Sequence, residues 1–160
     1  PFELVTNGRL SYFSGKGPHA PIERCATQQR PSGMSDQQLS TSLQGTETIL
    51  VIDDDEGIRY LVDQVLNRYG YRILTAEEGR EGLRLFQNHT VDLVILDLSM
   101  PGLQGEEVLA AMKLCDPDVK VVLFTGFAPE PDALTAAQAI IYKPFPIESL
   151  VRTVREQLDA

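Results

Sequence analysis

Val91-Asp92-Leu93-Val94-Ile95-Leu96-Asp97-Leu98-Ser99-Met100-Pro101-Gly102 is the stretch whose reading decides the fold. Its apolar run is short and β-branched, and Met100-Pro101-Gly102 ends it. Such a run reads as a strand buried on both faces, as in a parallel sheet covered by helices. One carboxylate, Asp97, stands at its C-terminal end, where open α/β sheets place their ligands. Taken alone, Asp97 reads more simply as an Asp that opens a turn before Pro-Gly. The ends of the other strands decide between the two readings.

Working outward, Thr48-Ile49-Leu50-Val51-Ile52 is a buried strand that ends in Asp53-Asp54-Asp55. Ile58, Leu61, Val62, Val65, Leu66 and Tyr69 then recur with helical period, and Gly70 stops that helix. Tyr71 to Ala76 is a second strand, and Glu77 to Gln87 a second helix with Leu83 and Phe86 inward. After the Asp97 strand, Gly105-Glu106-Glu107 opens a helix carrying Val108, Leu109 and Met112, with acids in the turn where the helix dipole favours them. Val119 to Phe124 is a fourth strand, ending at Thr125-Gly126, and a short Ala-rich helix follows near Ala133–Ala137. Ile140-Ile141-Tyr142 is a brief fifth strand ending at Lys143-Pro144, and the last helix turns Ile147, Leu150, Val151, Val154 and Leu158 to one face. Five βα units with right-handed crossovers give a parallel sheet with helices on both faces, an α/β doubly wound fold.

The strand ends share a chemistry. The first ends in Asp53 and Asp54, the third in Asp97, the fourth in Thr125 and the fifth in Lys143. In a doubly wound sheet the first and third strands are neighbours at the switch point, so three carboxylates come within about 5 Å. At that distance like charges repel by roughly 3 kcal/mol per pair at an effective dielectric of 20. Such a group calls for a cation, and oxygen ligands without His or Cys suit a hard divalent ion, Mg²⁺ best. Lys143 adds a positive charge and Thr125 a hydroxyl. Together they suit transfer of a phosphoryl group onto a carboxylate oxygen. Each residue also has a plainer role: helix N-caps for Asp53-Asp54-Asp55, a backbone-satisfying hydroxyl for Thr125, a solvated side chain for Lys143. Their coincidence on successive strand ends argues for the site.

The chain has 160 residues, a 42% apolar fraction and a formal net charge of −9. That predicts one domain with a tail, and it argues against a nucleic-acid or anionic membrane surface. No apolar run reaches the ~20 residues of a membrane span, and the first residues do not have the form of a signal peptide. Cys25 and Cys115 are far apart and in no C-x-x-C pattern, so unpaired thiols in a reducing, cytoplasmic setting are expected.

Residues 1–45 read as a flexible tail or linker and residues 46–160 as the folded domain. From Gly15 to Gly45 the chain is mostly Gly, Pro, Ser, Thr, Gln and Arg without hydrophobic period. Phe2 to Phe13 allows a small hairpin around Asn7-Gly8. Ser14-Gly15-Lys16-Gly17 does not have the spacing of a phosphate loop. The chain opens at Pro1, as a trimmed product or a piece of something longer would, and Met34 stands as an alternative start.

Ile52-Asp53-Asp54-Asp55, Asp97-Leu98-Ser99-Met100-Pro101-Gly102, Phe124-Thr125-Gly126 and Lys143-Pro144-Phe145 together resemble the receiver domain of two-component response regulators. The resemblance implies a flavodoxin-like (βα)5 fold with strand order 2-1-3-4-5. It implies that Asp97 is the phosphoacceptor, attacking a phosphohistidine of a histidine kinase or a histidine phosphotransfer protein. It assigns Mg²⁺ to the carboxylates of Asp54 and Asp97 and the carbonyl of Ser99, with Asp53 acting mainly through a water. Lys143 pairs with the phosphoryl oxygens or, before phosphorylation, with Asp97. Thr125 moves to the phosphoryl group and reports its arrival, and Gly126 leaves the site open. Asp55 matches nothing catalytic and helps start the helix.

Two departures stand out. The family's aromatic switch position, three before the lysine, is Ile140 here, and Tyr142 is expected on the other side of the strand. The Thr125-to-Lys143 segment is about one helical turn short and carries Pro129 and Pro131, so a short fourth helix is expected. Phe127 is an alternative switch residue, or simply a loop aromatic over the site.

The function expected is a phosphorelay receiver that signals by protein–protein contact or passes the phosphoryl group on, with a phosphorylation-dependent dimer compatible with it. No DNA-binding unit or output enzyme fits in residues 1–45, and His19 and His89 sit in no kinase context. A stand-alone regulator and the terminal receiver of a hybrid sensor kinase both remain open. Competing classes are an aspartyl-nucleophile phosphatase, against which Ser99 counts because a second acid belongs two residues after the nucleophile, and a receiver that has become a binding module only.

Overall fold

The computed structural model describes residues 42–102 and 104–160. The elements are β1 (Thr48–Ile52), α1 (Glu56–Arg68), β2 (Arg72–Ala76), α2 (Gly79–Asn88), β3 (Leu93–Asp97), α3 (Gly105–Cys115), β4 (Val121–Thr125), α4 (Pro131–Ala136), β5 (Ala139–Tyr142) and α5 (Ile147–Asp159). All neighbouring strands pair in parallel, in the order β2-β1-β3-β4-β5. The doubly wound fold read from the sequence is the fold observed.

Alternation along each strand splits the core into two layers. Ile49, Val51, Ile95 and Phe124 pack with Val62, Leu66, Leu150 and Val154 under α1 and α5. Leu50, Ile52, Leu96 and Leu123 pack with Val108, Leu109 and Met112 on the opposite face. β3 and β4 are buried at every position, which is why their sequence shows unbroken apolar runs instead of alternation.

Helix ends follow local chemistry. Asp55 caps α1, its carboxylate accepting from the Ile58 amide at 3.1 Å. Gly70, just past the end of α1, takes φ +95°, a left-handed conformation that glycine adopts without a Cβ clash. α2 begins at Gly79, two residues after the Glu77 expected, because Glu78 is still extended at φ −140° and ψ 158°. Gly82 of α2 lies against Ile52, so this helix sits close on β1. β4 starts at Val121 and not Val119, whose amide is bonded to the Asp116 carbonyl at 3.2 Å. Tyr71 precedes β2, and β5 starts one residue early, at Ala139. α4 is six residues long with proline at its start, short as the sequence predicts.

The chain enters the fold earlier than the composition of residues 1–45 suggests. Leu43 packs against the α1/α5 layer of the core. The buried Tyr71 hydroxyl donates to the Leu43 carbonyl at 2.9 Å, and the Gly45 amide donates to the Tyr69 carbonyl at 3.0 Å. Residues 43–45 are therefore bonded to the domain. The hairpin around Asn7-Gly8, the 14–17 segment, His19, Cys25 and Met34 lie outside the described residues. Cys115 is free and exposed. Among the described residues no helix is long and apolar enough to cross a membrane.

Candidate functional site

The site forms where β1 and β3 end side by side. Ile52 pairs with Leu96 across the sheet, so the next residue on each strand, Asp53 and Asp97, emerges at one edge. A carboxylate oxygen from each of Asp53, Asp54 and Asp97 lies within 4.8 Å of the others. Asp53 is 1% exposed and Asp97 4%, whereas Asp54 faces solvent. The mouth is therefore lined by one open and two buried acids.

β5 brings the cation. Thr125 pairs with Tyr142, and the Lys143 amide donates to the Thr125 carbonyl at 2.9 Å. The peptide bond to Pro144 that follows is cis. The Lys143 ammonium donates to Asp53 Oδ2 at 2.6 Å and to Asp97 Oδ2 at 2.9 Å. Its bond to Asp53 is the shorter, a partner the sequence alone did not reveal. Burial works against the Lys143 charge, but the bonds to both carboxylates outweigh it and raise the ammonium above its ordinary pKa. Asp53 is pushed upward too, first by burial and then by the Asp97 charge, against the bonds from Lys143 and the Asp55 amide. Lys143 stays charged here, because two short acceptors hold its proton while a single cation is shared between two acids.

Backbone amides complete the aim. The Asp55 amide donates to Asp53 Oδ1 at 2.9 Å and the Ser99 amide to Asp97 Oδ1 at 3.0 Å. Ser99 thus adjoins Asp97 through its backbone, with its side chain exposed. The Thr125 hydroxyl is 2% exposed at residue level and is turned to the next loop, donating to the Phe127 carbonyl at 2.9 Å and accepting from the Phe127 amide at 3.0 Å. The Phe127 ring is 73% exposed, so it does not cover the site. Ile140 is half-buried, and Ile141 points into the other core layer. Alternation therefore returns Tyr142 to the face of Ile140, which corrects the expectation that it faces away; it is displaced by two positions and is exposed.

Arg59 of α1 also reaches this edge, donating from Nη1 to the Asp53 carbonyl at 2.6 Å. No motif singled it out, because its hydrogen bond goes to backbone. The donor set fits a hard divalent cation: oxygen only, three acids, and a single lysine whose charge cannot balance them.

The family model for the response regulator receiver domain matches residues 49–155. The chain belongs to this family. The receiver is 33% identical over 117 residues to sporulation initiation phosphotransferase F of Bacillus subtilis, covering 70% of this chain and 94% of that one. It is 34% identical over 115 residues to the transcriptional regulatory protein GlrR of Escherichia coli K12, covering 69% of this chain but 26% of that longer protein. Among solved structures it is similar to the response regulator TrrA of Thermotoga maritima in complex with Mg²⁺ and BeF, at 37% identity and a TM-score of 0.65, over 70% of this chain and 99% of that one. The domain is a receiver of two-component signalling, and the resemblance read from its strand ends names the family to which it belongs.

Proposed function

We propose that Asp97 accepts a phosphoryl group from a phosphohistidine on a histidine kinase or a histidine phosphotransfer protein. The observation that carries this reading is the Asp53–Asp54–Asp97 group with Lys143 bridging its two buried members. One Asp97 carboxylate oxygen forms the new O–P bond. The P–N bond to the donor imidazole breaks, and that imidazole keeps the electron pair and takes a proton from solvent. Asp97 Oδ1 is fixed by the Ser99 amide and Oδ2 by Lys143, so the nucleophile is oriented before the donor arrives. Lys143 is already placed to follow negative charge as it moves from Asp97 to the phosphoryl oxygens. Thr125 exchanges its bond to the Phe127 carbonyl for one to a phosphoryl oxygen, which frees the Phe127 loop and alters the face beside α4.

Mg²⁺ would be held by the carboxylates of Asp54 and Asp97 and the carbonyl of Ser99, with Asp53 one shell further out. When bound, it supplies the positive charge that lets three acids and a phosphoryl group share one site. The chain forms one acyl phosphate per molecule and loses it slowly to water, so it is not a turnover enzyme. Its signal is a change of surface read by a protein partner, or onward transfer of the phosphoryl group, in the cytoplasm. The name of its Bacillus subtilis relative, a phosphotransferase, supports the second output.

Intact mass after incubation with acetyl phosphate and Mg²⁺ tests the reading. Wild type gains one phosphoryl group, ~80 Da, and Asp97→Asn gains none. Equal labelling of both would place the acceptor elsewhere and remove Asp97 from its role.

A further inference from the structure

We propose that Arg59 is a positioning residue for the acidic carboxylates, acting through the peptide that joins Asp53 to Asp54. This rests on the metal reading of the pocket. Arg59 lies in the first turn of α1, four residues after the N-cap Asp55. Its Nη1 donates to the Asp53 carbonyl at 2.6 Å, and its Nη2 lies 3.8 Å from Glu77 Oε2 beyond the end of β2. The arginine side chain is only 16% exposed, although Glu77 is 72% exposed. The bond to the carbonyl is more than 1 Å shorter than the contact with Glu77, so the carbonyl is its principal partner.

The two acids are aimed differently. The Asp53 carboxylate is held by Lys143 and by the Asp55 amide. The Asp54 carboxylate is exposed and accepts no hydrogen bond among the described residues, so its backbone alone directs it. That backbone begins with the Asp53–Asp54 peptide plane. The Asp53 amide is tied to the Ala76 carbonyl at 3.2 Å, and the oxygen of the next plane is tied to Arg59. Removing the second tie lets the plane rotate and carries the Asp54 carboxylate with it. Arginine suits the task because its rigid planar guanidinium aims an N–H at the carbonyl along a fixed line, a geometry the rotatable ammonium of lysine does not fix. The guanidinium also places a permanent positive charge behind the acids without occupying the site.

The test is an NMR titration of the full chain with Mg²⁺, following the amides of Asp54, Asp55 and Ser99, with urea unfolding in chelator beside it. Arg59→Gln should weaken Mg²⁺ about tenfold, as removing a group behind a metal ligand does, and should speed amide exchange at Asp55. Glu77→Gln, which removes only the charge of the exposed partner, should change Mg²⁺ affinity less than about twofold. Wild-type affinity in Arg59→Gln, or an equal loss in Glu77→Gln, would overturn the inference. Should Arg59→Gln not fold, Arg59→Lys keeps the charge and not the fork; wild-type affinity there would likewise count against positioning. Wild type unresponsive to Mg²⁺, or Asp54→Asn responding like wild type, would remove the metal reading itself and this inference with it.

Discussion

Lys143 stands 2.6 Å from one buried carboxylate and 2.9 Å from another, and its side chain is 22% exposed. Both acids would face uncompensated charge without it. Lys143→Met should therefore lower stability in urea by about 3 kcal/mol in the absence of Mg²⁺, and added Mg²⁺ should restore much of that by replacing the cation. An unchanged midpoint in chelator would contradict the electrostatic account. At this scale most of the site was legible, because the chemistry lies in residue type at strand ends: Asp53, Asp54, Asp97, Thr125 and Lys143 all border one edge of the sheet. What was not legible runs through the main chain. The Arg59 bond to the Asp53 carbonyl and the Thr125 bonds to the Phe127 backbone leave no trace in residue spacing.

Among the elements, α3 starts directly against the end of β3. A Cβ on Gly105 would lie 2.5 Å from both the Asp97 carbonyl oxygen and the Leu98 Cα. Those atoms are backbone and cannot move aside as a flexible side chain does. Gly105→Ala should cost about 1–3 kcal/mol and should displace the end of β3, so phosphorylation of Asp97 should slow more than the loss of stability explains. A variant as stable and as reactive as wild type would show that α3 does not set the position of Asp97. The strands were legible because strands buried on both faces of a parallel sheet read as continuous apolar runs, as residues 93–96 and 121–124 do. Helix starts were less so: Glu78 stays extended although its residue type suits a helix, and Gly82 of α2 lies against Ile52, a contact far away in sequence. The same holds for residues 43–45, whose partners Tyr69 and Tyr71 lie more than twenty residues on.

Across the whole molecule, acid pocket and chain entry occupy opposite edges of one sheet, Asp53 after β1 and Glu47 before it. Arg155 of α5 joins the entry edge together, donating to Glu47 at 2.9 Å and to Asp159 at 2.8 Å. Burial alone would raise the Glu47 pKa, but the Arg155 bond and backbone amides including that of Thr46 carry it below the ordinary value of 4.5. A carboxyl lowered on folding stabilises fully above its unfolded pKa and loses that contribution as pH falls through the folded one. The stability difference between wild type and Glu47→Gln should thus be greatest near neutral pH and shrink as pH drops below about 4.5. A difference constant with pH, read by urea unfolding, would mean that Glu47 acts by packing and not by charge. At the other edge the proposed chemistry is an acyl phosphate formed on Asp97. The most direct measurement is borohydride reduction of the phosphorylated chain, followed by peptide mass mapping. Homoserine is expected at position 97 and at no other aspartate; homoserine at position 53 or 54, or none at all in a chain that carries phosphate, would contradict Asp97 as the acceptor.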